Sequence, residues 1–304
     1  MARGAKVLIP CSFALVACYP WGRAGISEID VGVDVRVDAI IFVPERNGGL
    51  FAAVSGGAVV DHDGQRWDLS DHALRASSTD DLGRYWVCGD HGYLAFTDID
   101  PAQAVEPTWF PVTTGDERDL YAIVADTDHV VVVGDEVLLV GTETDGAWEW
   151  SEPPVPSEGW GRLRGVSQLG SDDAKVFLAV GHNGRALLSP EGADTWTPVD
   201  GLDPDIDFNH LCGNLALGDD LVRAWWTADG WSIASGDGDA DFVGCGGGFV
   251  LSSDRWISEF GDKGLERLYR LPWQPRAIDQ RFGLLVGGDS GHVAWWSPGH
   301  VGEY

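Results

Sequence analysis

The chain has 304 residues, a length that fits one large all-β domain or two ordinary domains. Its 48 acidic residues outnumber 20 basic ones, giving a formal net charge of −28. Nucleic acid is bound by clustered lysine and arginine, and the sequence has no basic run, so this composition excludes a nucleic-acid-binding role. No stretch reaches the roughly 20 apolar residues of a membrane-spanning helix. We therefore expect a single domain over residues 1–304 without a transmembrane segment.

One pattern recurs along the chain. An apolar run is followed by a glycine-rich or acidic turn, a second apolar run, Asp-Gly or a relative, and then tryptophan. The clearest copy covers residues 176–196, VFLAVGHNGRALLSPEGADTW. Asp-Gly favours a tight hairpin, so each copy indicates short strands joined by turns. Further copies begin at Leu50, Tyr85, Val130, Leu215, Phe249 and Leu284.

Another short apolar segment precedes each copy, which gives four strands per unit. Units begin near residues 38, 72, 119, 162, 206, 240 and 275, at a spacing of about 30 to 47 residues. Four strands at this period predict an all-β protein, a β-propeller of four-stranded antiparallel blades, with seven blades. The tryptophan after the turn between the third and fourth strands is expected to pack between neighbouring blades. These residues are Trp67, Trp148, Trp196, Trp231 and Trp256.

The segment SPEGADTW, residues 189–196, resembles the Asp-box hairpin S-x-D-x-G-x-T-W of BNR-repeat propellers. Ser189, Thr195 and Trp196 match, whereas Glu191 stands where aspartate is usual and Gly192 is one place early. The group includes sialidases, other glycosidases and photosystem II assembly factors. The resemblance therefore implies a propeller fold, and it implies a function far less firmly because one fold hosts many functions.

The N-terminus has two interpretations. Residues 1–18 resemble a lipoprotein signal that ends in Leu-Val-Ala-Cys, which would leave Cys18 lipidated and the protein anchored in the bacterial envelope. Residues 26–36 would then supply the outer strand of the last blade, giving seven blades. Alternatively, CYPWGRAGIS from Cys18 aligns with VGHNGRALLS from Val180, which indicates a further blade and eight in all. The alignment favours the blade and a cytoplasmic location.

Three cysteines fall in predicted strands. Cys88 lies in a second strand, and Cys212 and Cys245 lie in the first strands of adjacent units. We expect three buried free thiols; the alternative is that Cys212 and Cys245 pair in an exported protein. No Cys-x-x-Cys motif is present, so a zinc site is not indicated.

Catalytic motifs are weak. Gly288-Asp289-Ser290-Gly291 copies the string around a serine-protease nucleophile, but it occupies a turn that other units fill with GHNG and GDHG. A sialidase-like resemblance implies several arginines on the substrate carboxylate, for which Arg36, Arg164 and Arg276 are candidates. Carboxylates are too common in this chain to indicate a glycosidase. We therefore expect a protein that is not an enzyme, and predict no catalytic residues.

The turns between second and third strands lie together on one face of a propeller. Here they predict a partner-binding face rich in carboxylates, although aspartate is also favoured in turns for local hydrogen bonding. Such a face would attract a cation or a basic partner. Its residues are Asp90, His91, Asp135, Glu136, His182, Asp219, Asp220, Asp254 and Asp289.

Two connections between units carry alternating aspartates. Calcium takes six to eight oxygen ligands, so closely spaced carboxylates predict a Ca²⁺ site. Neither run has the glycine and distal glutamate of an EF-hand loop. The candidate metal ligands are Asp203, Asp205 and Asp207 in one run and Asp237, Asp239 and Asp241 in the other.

These observations favour a non-enzymatic binding or scaffold propeller that contacts a protein or glycan partner through its acidic loop face. The alternative is a carbohydrate-active or carbohydrate-binding propeller at the cell envelope. The two differ in one feature: a glycosidase needs a carboxylate pair across a walled cleft, and a scaffold needs only an extended patch.

Overall fold

A computed structural model gives the fold, and its regular secondary structure is almost entirely β-strand. It describes residues 25–30, 36–43, 50–61, 65–97, 108–154, 159–170, 175–190, 192–236, 239–246, 248–261, 264–279 and 284–297. Within these ranges, no helix is long and apolar enough to cross a membrane. The strands, in chain order, are β1 Gly25–Asp30, β2 Ala39–Val43, β3 Leu50–Ser55, β4 Ala58–Asp61, β5 Arg66–Asp68, β6 Leu74–Thr79, β7 Tyr85–Gly89, β8 Leu94–Thr97, β9 Trp109–Val112, β10 Leu120–Ala125, β11 His129–Gly134, β12 Leu138–Thr144, β13 Ala147–Ser151, β14 Leu163–Leu169, β15 Val176–Gly181, β16 Ala186–Ser189, β17 Thr197–Pro198, β18 Phe208–Cys212, β19 Leu215–Gly218, β20 Arg223–Thr227, β21 Gly230–Ala234, β22 Phe242–Gly246, β23 Phe249–Ser252, β24 Trp256–Gly261, β25 Gly264–Arg270, β26 Pro275–Asp279, β27 Leu284–Gly288 and β28 His292–Ser297.

These strands form four-stranded antiparallel sheets, each an up-and-down meander. We number the sheets by chain order: sheet 1 is β2–β5, sheet 2 is β6–β9, and so on to sheet 6, β22–β25; sheet 7 is β26–β28 with β1. The first strand of each sheet contacts the first strands of the sheets on either side, and β2 contacts both β6 and β26. The first strands therefore close a ring as its inner strands, which is the propeller arrangement. The predicted unit starts all lie within three residues of these strands.

The strand β1 occupies the outer edge of sheet 7. It pairs antiparallel with β28, from Gly25 opposite Ser297 to Asp30 opposite His292. The alignment of this segment with a third strand was therefore wrong, because Gly25-Ile26-Ser27 lies in a fourth strand. An unpaired β28 would expose its backbone N–H and C=O groups, and β1 satisfies them. Cys18 and the remainder of the lipoprotein interpretation lie outside the described residues.

The second strand of most sheets ends at a glycine for a steric reason. In sheet 3, a Cβ at Gly134 would overlap the backbone carbonyl oxygen of Asp119, the residue directly before the inner strand β10. The glycine lets the two strands approach closely where the chain turns over the ring. The equivalent glycines are Gly89, Gly181, Gly218 and Gly288.

The core lies between the sheets. One cluster joins Val131 and Val140 of sheet 3 to Phe177 and Leu187 of sheet 4, and similar clusters join the other described neighbours. Large aromatic side chains supply much of the buried apolar area in such interfaces. The prediction that tryptophans pack between blades is confirmed for four of the five, which are Trp67, Trp148, Trp196 and Trp231.

The hairpin that resembles an Asp-box turns from β16 to β17. The indole Nε1 of Trp196 donates a hydrogen bond to the carbonyl oxygen of Ala193 at 2.8 Å, and Ser189 is fully buried. Glu191 lies outside the described residues. The turn is thus fixed by the tryptophan, which anchors the hairpin in the core between sheets 3 and 4.

The expectation of three free thiols was wrong for two of them. Cys212 and Cys245 form a disulfide with a Cα–Cα distance of 6.0 Å, whereas Cys88 is a buried free thiol. The inner strands of adjacent sheets bring the two cysteines within bonding reach. Such bonds are typical of proteins in oxidising compartments.

The steric requirement for glycine at position 134 can be tested by measuring the free energy of unfolding. Gly134→Ala should lower the free energy of unfolding by about 3 kcal/mol, because the methyl group overlaps backbone. Gly146→Ala is the control, because Gly146 has a positive φ of 79° but no atom lies within 4 Å of its new Cβ. It should cost only about 1 kcal/mol. Equal losses in urea unfolding would contradict the steric argument.

Candidate functional site

The central opening of the ring forms a cavity with a volume of about 550 Å³. The inner strands of all seven sheets contribute to its lining. Because every sheet points its first strand at the ring axis, residues far apart in sequence meet here. The opening is therefore the first candidate for a binding site.

A bulge near the start of the inner strand determines which side chains line this opening. In six sheets the pairing register between the first and second strands shifts by one residue, which leaves one residue of the inner strand unpaired. All six bulged residues line the opening. They are Arg75, Tyr121, Arg164, Asn209, Val243 and Arg276.

Two bulged arginines hold an aspartate of their own sheet. Arg75 donates from Nε and Nη2 to the two carboxylate oxygens of Asp90, both at 2.8 Å. Arg276 donates from Nε to Asp289 at 3.0 Å. Each aspartate directly follows the glycine that ends the second strand. These pairs fix the arginines at the rim and offset their charge.

Arg36 joins them from sheet 1. Its Nε lies 2.5 Å from a carboxylate oxygen of Asp38, and both residues line the opening. Burial raises the pKa of Asp38, although Arg36 opposes that rise.

Arg164 has different partners. Its Nε–H donates to Nε2 of His182 at 3.1 Å, and its guanidinium lies 3.8 Å from the ring centre of Tyr121. Among the described carboxylates, none lies within ion-pair distance of it. Burial lowers the pKa of Arg164, because desolvation disfavours the charged form. A cation at such a site favours the approach of an anion.

Two histidines lie beside Arg164. Nδ1 of His182 lies 3.2 Å from Asp207, and burial lowers the pKa of His182. His210 lines the opening from β18, where burial, with a smaller effect from Arg164, lowers its pKa to about 4. Both imidazoles are therefore neutral at pH 7.

The opening also has acidic side chains. Asp219 and Asp241 line it, and Asn209 donates to Asp219 at 2.7 Å. Burial, then the charge of Asp241, raises the pKa of Asp219. The opening thus combines arginines from sheets 1, 2, 4 and 7 with carboxylates from sheets 1, 5 and 6.

Several carboxylates of the predicted partner-binding face are already paired. Besides Asp90 and Asp289, Asp135 accepts from Nε of Arg162 at 2.8 Å, and Asp254 accepts from Arg267 at 3.0 Å. The hydrogen bond from Arg162 lowers the pKa of Asp135. The partner face remains a prediction, and its charge is smaller than the sequence indicates.

The turn residues of that face also link neighbouring sheets. The backbone N–H groups of His91 and Asp220 donate to Asp119 and Asp241, each of which directly precedes the next inner strand. His91, Asp220 and Glu136 all have positive φ near 55°. Their position in a tight turn explains the abundance of Asp and His there.

The contacts of the described aspartates in the two runs are those of turns and do not indicate a bound cation. Asp203 accepts the backbone N–H of Asp205 at 2.9 Å, and Asp207 accepts that of Asn183 at 2.9 Å. Asp239 is exposed, while Asp237 lies outside the described residues. The calcium site stays a prediction without support from these contacts.

A different group has clustered ligand atoms. Among the described residues, Asp126, Asp128 and His129 bring theirs within 4.8 Å of one another. The ammonium group of Lys175 lies 3.1 Å from both aspartates and already supplies the positive charge.

The string Gly288-Asp289-Ser290-Gly291 is a tight turn. Ser290 has a φ of 55°, and Asp289 is bound to Arg276. The string is thus explained by its position in a turn, as the sequence analysis expected, and does not indicate a protease nucleophile.

Sequence reasoning named three of the four arginines of the opening, as candidates for one carboxylate site. Arg36, Arg164 and Arg276 were candidates for carboxylate recognition, and the structure brings all three to one opening. Arg75 was missed. The signal that could have found it is an arginine one place after the first apolar residue of an inner strand, as in Leu74-Arg75 and Leu163-Arg164.

No family model matches the chain, and no curated protein matches it. Solved structures do resemble it. The WD40 β-propeller domain of Doa1 has a TM-score of 0.67 at 14% identity, covering 91% of this chain and 97% of that one. YCF48 bound to a D1 peptide has a TM-score of 0.65 at 13% identity, covering 92% and 99%. U3-55K has a TM-score of 0.67 at 9% identity, covering 90% and 98%.

At these identities the likeness shows the fold alone. The chain is an all-β β-propeller of four-stranded antiparallel blades, similar to both WD40 and YCF48 propellers. The comparisons do not show Asp-box repeats.

The depressed pKa of His210 makes stability depend on pH. Its unfolded pKa is near 6.5 and its folded pKa about 4, so between these values the unfolded chain binds a proton that the folded chain does not. Stability is therefore lost as the pH falls from about 6.5 towards 4. When the pH is lowered from 7.5 to 5.5, the free energy of unfolding of the unmodified protein should fall through the protonation of His210 in the unfolded chain. His210→Gln lacks this titration, so its free energy of unfolding should fall by on the order of 1 kcal/mol less. Identical pH slopes in urea unfolding would contradict this.

Proposed function

We propose that the chain is a seven-bladed, non-enzymatic binding propeller that contacts a protein partner through its central opening. The observation that carries this proposal is the gathering of arginine. Arg36, Arg75, Arg164 and Arg276 line one opening in a chain that has only 20 basic residues and a net charge of −28.

The charge distribution supports an acidic segment as the part of the partner that enters. The long-range field of the protein repels anions, so an anionic segment is selected only where local arginines outweigh that field. The similar structure of YCF48 bound to a D1 peptide gives a propeller that holds a peptide. A basic partner at the outer acidic turns remains the alternative that the sequence predicted.

A second candidate is binding or cleavage of an acidic sugar. It is favoured by the gathering of the arginines with Tyr121, and by the pKa values of Asp38 and Asp219, which burial raises. Carboxyl groups with raised pKa values are the kind that serve as general acids. Release of methylumbelliferone from acidic glycosides of that dye would replace the non-enzymatic proposal.

The peptide proposal is tested with an end-capped hexaglutamate peptide at moderate ionic strength. The variant Arg75→Gln with Arg276→Gln should weaken its binding about tenfold, because it leaves the carboxylates of Asp90 and Asp289 unpaired, and these then repel the peptide. Arg66→Gln is the control, since Arg66 pairs with Asp68 in the exposed β5. An affinity that the double variant leaves unchanged would contradict binding at the opening.

A further inference from the structure

Two sheets share one kind of ion pair, and sheet 4 has its arginine without its carboxylate. In sheets 2 and 7 the bulged arginine of the inner strand binds the aspartate that follows the second-strand glycine, as Arg75 binds Asp90. In sheet 4 the arginine is present as Arg164, and the position after Gly181 holds His182. The arginine is kept while its carboxylate is replaced.

The replacement leaves Arg164 with no carboxylate within ion-pair distance among the described residues. Nε of Arg164 donates to a neutral imidazole, and its guanidinium stacks on Tyr121. A half-buried guanidinium loses hydration that this imidazole offsets only in part. Arg75 and Arg162 add further positive potential at Arg164.

We propose that Arg164 is the anchor for a carboxylate of the ligand, which takes the role that Asp90 and Asp289 have in sheets 2 and 7. This inference rests on the proposed function and names the chemistry of its central contact. The planar guanidinium matches a carboxylate in two parallel hydrogen bonds, as the pair of 2.8 Å contacts between Arg75 and Asp90 shows. In Arg164, Nε donates to His182, so the two Nη groups are the donors for the ligand.

The neighbouring side chains suit such a contact. Tyr121 holds the guanidinium plane from one side, at 3.8 Å. Asn209 follows on the next inner strand and lines the same opening. Asp219 and Asp241 line the opening from sheets 5 and 6, so their carboxylates would keep a bound anion on the Tyr121 side of Arg164.

The test places a carboxylate inside the protein. His182→Asp supplies Arg164 with the partner that sheets 2 and 7 already have, so it should weaken binding of the hexaglutamate peptide or of glucuronate about tenfold or more. Arg164→Gln should do the same. Asn183→Asp is the matched control, because it adds the same charge one residue away, at a turn position whose φ of 55° aspartate tolerates. It should change affinity no more than about twofold.

Thermal unfolding of each variant confirms that it folds, and Arg164→Lys, which keeps the charge but not the fork, should give an intermediate loss if Arg164→Gln is unstable. Peptide and glucuronate are measured separately, and the one that binds identifies the source of the carboxylate. Binding that His182→Asp and Arg164→Gln leave unchanged would overturn this inference and leave the proposed function standing. Failure of both probes to bind the unmodified protein would overturn both.

Discussion

A single extra residue near the start of the inner strand determines what the central opening presents. The bulge stands where the inner strand begins, beside the glycine on which the second strand ends. A regular strand would alternate its side chains between the two sheet faces, towards the neighbouring sheets. The bulged residue has no partner on the second strand, and its side chain lines the opening. Its identity can therefore vary without loss of the core, from arginine to tyrosine, asparagine and valine.

The same geometry explains how a strongly acidic chain keeps arginines at its centre. The turn after the second strand places an acidic side chain beside the bulge, so Arg75 and Arg276 are offset within their own sheets. The ion pairs hold each guanidinium in one orientation at modest electrostatic cost. Only in sheet 4 does a histidine stand there, and this leaves Arg164 with unused hydrogen-bonding capacity. The proposed site thus depends on sheet 4, which has the bulged arginine but a histidine in place of the aspartate.

The sequence predicts the fold well because the relevant signals are local. The glycine at the end of a second strand, the Asp-Gly turn and the following tryptophan recur in several units, and the steric and packing reasons for them lie within one sheet or its neighbour. The pairing of β1 with β28 joins opposite ends of the chain. One of the two sequence interpretations gave residues 26–36 this role as an outer strand, but no local pattern decides between the two. The disulfide between Cys212 and Cys245 likewise depends on the distance between two inner strands.

The site was harder to predict because it depends on register. Arg162 and Arg164 are two residues apart, yet one pairs with Asp135 and the other lines the opening beside Tyr121. The separation between a bulged residue and its turn partner also varies, from Arg75 and Asp90 to Arg276 and Asp289, so no fixed spacing marks the pair. Sequence reasoning gave the turn aspartates a role in partner binding, because the sequence does not show which arginines pair with them.

The account is tested most directly by locating an anion in the opening. Crystals soaked in sodium bromide would be measured at the bromine absorption edge, where anomalous scattering marks each bound halide. The account predicts a bromide peak beside the guanidinium of Arg164 and none beside Arg75 or Arg276, whose aspartates already occupy them. A crystal in which bromide binds the other two arginines and leaves Arg164 unoccupied would contradict it.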